Sequence, residues 1–184
     1  MTNILALSGS LRSGSFNTAL ARAAQTAAPT EVKIEVATLH GIPLYDGDVE
    51  ASEGIPAAVL ALKERILAND GLLLVTPEYN SGVPGVMKNG IDWLSRADLK
   101  TIFGRRPVAI IGATPGGWGT ISAQTAWLPT LKTLGTILYT GHTLMLSRAQ
   151  NAFDAQGQLT DSNAQKMLGD LLSGFSNFIQ NEKR

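Results

Sequence analysis

The sequence predicts an α/β protein built on a parallel β-sheet that is covered by helices on both faces. Strand-like and helix-like hydrophobic patterns alternate five times along the 184 residues. The apolar runs at residues 71–76 and 107–113 are continuous rather than alternating, which is typical of strands buried on both faces. A chain of this length can enclose one sizeable core, so we expect a single domain spanning residues 1–184.

The individual elements follow from hydrophobic periodicity and from the residues that end each pattern. Pro77 stops the third strand, because proline cannot donate in a central strand, and Pro129 should kink or split its helix. The expected strands are 3–7, 32–37, 71–76, 107–113 and 136–139, with an extension at 143–146. The expected helices are 17–27, 56–68, 84–95, 120–134 and a last one carrying residues 168–179, with a glycine- and proline-containing loop over 41–54.

Composition excludes several classes of protein. Fifteen basic and fifteen acidic side chains cancel, which argues against binding to nucleic acid or to an anionic membrane. The absence of cysteine excludes disulfides, zinc–thiolate sites and thiol nucleophiles. The apolar runs are too short to span a membrane and no signal peptide is recognisable, so we expect a cytoplasmic protein. His40 and His142 are too isolated to predict a metal site.

Three loops are expected at the carboxyl ends of strands, where proteins of this class bind their ligands. They cover residues 8–17, 77–83 and 114–119, and all three are rich in Gly, Ser, Asn or Pro. Small and polar residues of this kind are what a rim facing a ligand needs. We therefore expect one site formed by all three loops.

The first loop predicts a phosphate site at the start of a helix. Hydroxyl groups and a guanidinium precede the helix, whose first backbone N–H groups lack partners and attract anions. The phosphate-binding groups would come from Ser10, Arg12, Ser15, Phe16 and Asn17. No lysine separates Gly14 from Ser15, which excludes a triphosphate loop and favours a monophosphate. The alternative is that Ser15 or Asn17 merely caps the helix.

The second and third loops suit a flat heteroaromatic ring. Tyr79 offers an aromatic face and Asn80 offers both donors and acceptors, in a loop stiffened by two prolines. In the third loop, glycines allow the backbone to approach a ligand closely. Trp118 could cover the ligand, pack beneath it or meet a neighbouring subunit. The alternatives are a stiff connection for the second loop and a flexible turn for the third.

The chain resembles the NAD(P)H-dependent FMN reductases, a family that includes bacterial chromate and quinone reductases. The resemblance rests on residues 9–17, 77–80 and 84–96, and the order of elements agrees over nearly the whole chain. It implies a flavodoxin-like three-layer sandwich with a five-stranded parallel sheet of order 2-1-3-4-5, forming a single FMN-binding domain. It also implies non-covalent FMN and a homodimer or homotetramer.

The resemblance further implies an activity and a set of cofactor-binding residues. Hydride would pass from NAD(P)H through FMN to a small acceptor, such as a quinone, a flavin, chromate, an azo compound or a ferric chelate. Phosphate binding would fall to Ser10, Arg12, Ser15, Phe16 and Asn17, and contacts to the ribityl chain and ring edge to Pro77, Glu78, Tyr79 and Asn80. A second ring-contacting loop would comprise Thr114, Pro115, Gly116, Gly117 and Trp118. No side chain is needed as a general base, so we assign no catalytic residue and no metal ligand.

Two other functions use the same cleft. A flavodoxin-type electron carrier would bind FMN without a substrate of its own, and a nucleotide-sensing interaction protein would bind without turnover. The neutral net charge disfavours the carrier, because such carriers tend to be acidic. The choice between NADH and NADPH is open, and Arg105 and Arg106 could form either a 2′-phosphate contact or a surface turn.

Overall fold

The computed structural model of the chain describes residues 1–183, which form one central parallel sheet with helices on both faces. The strands are β1 (Thr2–Ser8), β2 (Val32–Ala37), β3 (Gly71–Val75), β4 (Pro107–Ala113), β5 (Ile137–Leu138) and β6 (Leu144–Leu146). Their order is β2-β1-β3-β4-β5, as predicted, and every pairing is parallel. The short β5 pairs with the start of β4 and β6 pairs with its end, so β6 extends the fifth position of the sheet.

Two helical layers sandwich the sheet, which confirms the predicted architecture. The helices are α1 (Phe16–Ala27), α2 (Gly47–Glu53), α3 (Ala57–Leu67), α4 (Gly85–Phe103), α5 (Ile121–Thr133) and α6 (Ser162–Glu182). Side chains of β1 alternate between the faces: Ala6 packs in one cluster with α1 and α6, and Leu7 in the other with α3, α4 and α5. Because both faces are covered, the central strands read as continuous apolar runs.

Two local features differ from the sequence-based expectation, and at a third the structure rules out one of the two expected outcomes. Helix α2 lies within the predicted loop and buries none of its residues, so it carries no apolar periodicity; Asp46 caps it by accepting from the N–H of Asp48. Helix α4 continues past Ser95 to Phe103, across a non-helical Asp98 that accepts from the N–H of Thr101. Helix α5 runs through Pro129 as one element and is not split.

Helix α2 is attached to α4 by polar contacts rather than by an apolar face. Arg96 donates to both carboxylate oxygens of Glu50 at 3.0 Å, and the Tyr45 hydroxyl donates to the same carboxylate at 2.9 Å. These hydrogen bonds hold the pKa of the Glu50 carboxyl below its ordinary value. Arg96 therefore supports the fold.

The two adjacent arginines lie at the amino end of β4, on the edge of the sheet opposite the predicted site. Arg106 donates to the backbone carbonyls of Ile66 and Asn69, at 3.0 and 2.8 Å, and to that of Ile102. Arg105 pairs with Glu182 at 3.1 Å. Both guanidinium groups are thus engaged on the edge of the sheet opposite the three loops, which favours a surface turn over a 2′-phosphate contact.

No helix within residues 1–183 is long and apolar enough to cross a membrane. Over the same range, no group of three or more His, Cys, Asp or Glu side chains is arranged to hold a metal ion.

Candidate functional site

The first loop leaves β1 and packs closely against the second loop and α4. The N–H of Gly9 donates to the carbonyl of Val75 at 2.9 Å, which continues the pairing of β1 with β3. A Cβ atom on Gly9 would lie 2.6 Å from Sδ of Met87 and 2.9 Å from Cδ of Pro77. Only glycine allows the chain to pass here, so the first two loops are held together at their bases.

The start of α1 is a capped helix that still offers hydrogen-bond donors to a ligand. Ser15 is the N-cap, and its hydroxyl oxygen accepts from the N–H of Thr18 at 3.3 Å. Ser15 therefore does cap the helix, which is the alternative to ligand binding that the sequence allows. It does not use the hydroxyl proton of Ser15, nor the N–H groups of Phe16 and Asn17 in the first turn, which have no acceptor within the helix. Capping and phosphate binding are compatible at this terminus.

The side chain of Asn17 has a structural role. Its amide nitrogen donates to the carbonyl of Ala113 at 2.8 Å, and its amide oxygen accepts from the N–H of Ala113 at 2.9 Å. The side chain is buried and ties α1 to the end of β4, next to the third loop. Asn17 can therefore serve a phosphate through its backbone N–H only.

Arg12 presents its charge at the mouth of the first loop. The guanidinium is exposed and donates to the carbonyl of Gly14 at 3.3 Å, while Ser10 beneath it is buried. Of the carboxylates in the described part of the chain, none forms an ion pair with Arg12. Its remaining N–H groups are thus able to meet an anionic ligand.

The second loop is a rigid turn. The backbones of Tyr79 and Gly82 exchange hydrogen bonds of 3.2 and 3.1 Å, and the two residues between them, Asn80 and Ser81, have φ values of 50° and 57°. Two successive left-handed residues define a tight type I′ geometry. Tyr79 and Asn80 are exposed on this turn, as a ring-contacting edge requires.

Glu78 caps a helix. Its carboxylate oxygen accepts from the N–H of Ala123 at 2.9 Å, in the first turn of α5. Thr120, the N-cap residue of that helix, makes no side-chain capping bond. Glu78 thus replaces the missing cap and joins the second loop to α5.

Replacing Glu78 with alanine is expected to lower the free energy of unfolding by about 1 kcal/mol, the usual effect of removing a helix cap. Glu78→Gln keeps a side-chain oxygen that can accept from Ala123 and should retain most of the stability. Urea unfolding of both variants measures the difference. Equal stability of Glu78→Ala and the wild type would show that the cap contributes nothing.

The third loop is fixed by its backbone and carries one exposed aromatic side chain. Thr114 donates to the carbonyl of Leu146 at 2.9 Å, and the carbonyl of Gly116 accepts from the N–H of Arg148 at 3.0 Å. Gly119 has a φ of 66°, and a Cβ atom there would lie 2.5 Å from the carbonyl oxygen of Met145. Trp118 is 87% exposed, so it does not pack beneath the site.

The three loops meet in a shallow cleft of about 60 Å³ at the carboxyl edge of the sheet. Ten predicted site residues line it: Ser10, Arg12, Ser15, Phe16, Asn17, Pro77, Glu78, Tyr79, Thr114 and Pro115. Four lie outside its lining: Asn80, Gly116, Gly117 and Trp118. Residues separated by about a hundred positions in the chain therefore converge on one surface.

Comparison with known proteins identifies the family. The model of the NADPH-dependent FMN reductases matches residues 2–151. The chain belongs to this family. The membership confirms the resemblance drawn from the sequence, the class of enzyme and its FMN and NAD(P)H dependence. It favours a reductase over an electron carrier or a nucleotide sensor.

Individual relatives match over almost their full length. An NAD(P)H-dependent FMN reductase of Pseudomonas aeruginosa is 44% identical over 177 residues, which cover 96% of this chain and 95% of the relative. A quinone reductase of Escherichia coli is 39% identical over 182 residues, covering 98% and 96%. Among solved structures, the flavoenzyme NAD(P)H:(acceptor) oxidoreductase FerB of Paracoccus denitrificans has a TM-score of 0.87 and 31% identity, with 99% of each chain covered.

The donors at the first loop fit the phosphate monoester of FMN. Hydroxyl groups, a guanidinium and backbone N–H groups surround the cleft, and each of them is able to donate a hydrogen bond to a ligand. The one carboxylate of the lining, that of Glu78, is directed to the N–H of Ala123. The site of this FMN reductase therefore has the donors that a phosphate dianion needs.

Proposed function

We propose that this FMN reductase is a single-domain enzyme that reduces quinones with NAD(P)H, using FMN held by the three loops. Bound FMN would supply the chemistry by accepting hydride from the nicotinamide and passing it to the acceptor. The observation that carries the assignment is the convergence of residues from all three loops in one cleft, with a guanidinium and two serine hydroxyl groups at its phosphate end.

The phosphate end would be formed by the start of α1. Ser10 and Ser15 would donate through their hydroxyl groups, and Phe16 and Asn17 through their backbone N–H groups. Arg12 would add a guanidinium to these phosphate-binding donors, and this guanidinium has no competing carboxylate partner among residues 1–183. These groups would anchor the cofactor and take no part in redox chemistry.

The ring end would be formed by the second and third loops. Pro77, Tyr79 and Asn80 would line one edge of the isoalloxazine, and Glu78 would act indirectly by fixing their loop to α5. Thr114 and Pro115 would line the other side, with Gly116, Gly117 and Trp118 at its outer rim. The exposed position of Trp118 supports a role in covering the bound ring or in a subunit contact.

The choice of quinones as acceptors rests on the relatives and on the shape of the site. Besides the quinone reductase of Escherichia coli, a 2-hydroxy-1,4-benzoquinone reductase of a Burkholderia species is 33% identical over 95% of this chain. A flat acceptor can lie on a flat ring without specific side-chain contacts, which a shallow cleft accommodates. Flavins, chromate, azo compounds and ferric chelates are the other candidate acceptors.

Steady-state oxidation of NADPH with a panel of acceptors tests the substrate class. We expect benzoquinones to give a higher kcat/KM than chromate, free flavin, an azo dye or a ferric chelate. The same panel with NADH in place of NADPH measures the nicotinamide preference. A higher kcat/KM for any of the other acceptors would contradict the assignment of quinones as preferred substrates.

We also propose that the enzyme is a homodimer or homotetramer. Leu44 and Trp118 are 84% and 87% exposed, and large apolar side chains of this kind often mark contacts between subunits. Sedimentation velocity at micromolar concentration measures the state directly. A monomer under these conditions would show the proposal to be wrong.

A further inference from the structure

The outer part of the first loop, residues 11–14, is exposed and has little support of its own. Within the loop, the N–H of Arg12 approaches Oγ of Ser10 at 3.4 Å, a weak contact. Within residues 1–183, one hydrogen bond reaches this stretch from another element: Nε2 of His40 lies 3.2 Å from the carbonyl oxygen of Leu11. His40 thus contacts the peptide group that immediately precedes Arg12.

His40 is held in place by the segment that follows β2. Its neighbour Leu39 is buried against Gly90 of α4, where a Cβ atom would lie only 2.5 Å from Cδ2 of Leu39. Gly41 turns the chain directly afterwards, with a φ of 80°. Nδ1 of the ring lies 3.0 Å from Oγ1 of Thr38. Both ring nitrogens are therefore engaged, and the side chain of the neighbouring Leu39 is packed into the core.

The bond to Leu11 fixes the tautomer of His40. A carbonyl oxygen can only accept, so Nε2 carries a proton. Nδ1 then accepts from the Thr38 hydroxyl when the ring is neutral and donates to the same oxygen when the ring is an imidazolium. The hydrogen bond to Leu11 exists in both protonation states, so His40 can act as a permanent tether.

We propose that His40 is a positioning residue for the flavin phosphate. By holding the Leu11 carbonyl, it fixes the peptide before Arg12 and keeps the guanidinium over the start of α1. The inference rests on the proposed function, in which the phosphate of FMN lies at this loop. Losing the tether leaves Arg12 to be ordered at the moment of binding, which should weaken FMN affinity roughly five- to tenfold.

Binding of FMN and of riboflavin to the apoprotein separates this role from a general structural one, because riboflavin lacks the phosphate. The variants are His40→Ala, His40→Asn and His40→Gln, with His142→Ala as the control at the other histidine. Glutamine places an N–H near the position of Nε2, whereas asparagine reaches only the position of Nδ1. Arg12→Ala is measured alongside them to test the phosphate site itself.

We expect His40→Ala and His40→Asn to lose roughly five- to tenfold in FMN affinity without a change in riboflavin affinity. His40→Gln should bind FMN within about twofold of the wild type, and His142→Ala should match the wild type. An equal loss for both flavins, no loss, or a glutamine variant as weak as the alanine variant would overturn the inference. If Arg12→Ala lowers the preference for FMN over riboflavin while the histidine variants do not, the phosphate site is supported and the role of His40 is contradicted. If Arg12→Ala also has no effect, the site assignment fails as well.

Discussion

Replacing Arg12 with alanine is expected to weaken FMN binding by roughly ten- to a hundredfold, because a charge-assisted hydrogen bond contributes about 1.5–3 kcal/mol. The guanidinium is exposed, and its one hydrogen bond to the protein is the 3.3 Å contact to Gly14 within the described chain. The folded apoprotein should therefore keep its thermal stability. Fluorescence titration of the apoprotein with FMN measures the change in affinity.

Arg22→Ala provides the matched control for Arg12. Arg22 is also an exposed arginine, and it lies on α1 about two turns beyond the N-terminal residues of that helix. Its removal changes the net charge of the protein by the same amount, so a general electrostatic effect would weaken both variants alike. An unchanged FMN affinity in Arg12→Ala, or an equal loss in Arg22→Ala, would remove Arg12 from the phosphate site.

Replacing Arg106 with alanine is expected to lower the free energy of unfolding by about 3 kcal/mol, since hydrogen bonds that involve a charged group contribute about 1.5–3 kcal/mol each and their effects are not additive. The guanidinium joins the ends of α3 and α4 to the start of β4 through the carbonyls of Ile66, Asn69 and Ile102. Burial lowers the pKa of this guanidinium, and the charge of Asp70 opposes that shift. Urea unfolding measures the loss in the free energy of unfolding.

Arg105→Ala is the control for Arg106, because its ion pair with Glu182 is exposed and should contribute at most about 1 kcal/mol. FMN affinity should be unchanged in both variants, since both residues lie on the edge of the sheet opposite the cleft. A loss of stability below about 0.5 kcal/mol in Arg106→Ala would contradict the structural role. A loss of FMN affinity without a loss of stability would restore a role in ligand binding.

The sheet could be predicted from sequence because its central strands are buried on both faces. Residues 71–75 are apolar without interruption and fully enclosed, so neither their strand character nor their central position was ambiguous. Helix α2 could not be found in the same way, since it buries no residue and is attached through Glu50, which accepts from Arg96 of α4 and from the hydroxyl of Tyr45. An element held by polar contacts leaves no hydrophobic period in the sequence.

The candidate site was predictable to the extent that it depends on local chemistry. Glycine, serine and arginine near a helix start favour an anion site from local sequence alone, and ten predicted residues do line one cleft. The side-chain partners of Asn17 and Glu78 lie 96 and 45 residues away, and no local pattern reveals such contacts. The contact of His40 with the first loop could not be predicted either, because its acceptor is a backbone carbonyl 29 residues away.

Anaerobic mixing of the FMN-loaded protein with NADPH tests most directly whether this chain is an NAD(P)H-oxidising flavoprotein of the kind proposed. The protein should bind FMN in a one-to-one complex, and NADPH should bleach the visible absorbance of the flavin. Addition of a benzoquinone should then restore the absorbance within the dead time of manual mixing. A protein that takes up no FMN, or whose bound flavin keeps its absorbance in the presence of excess NADPH and NADH, would contradict the proposed function.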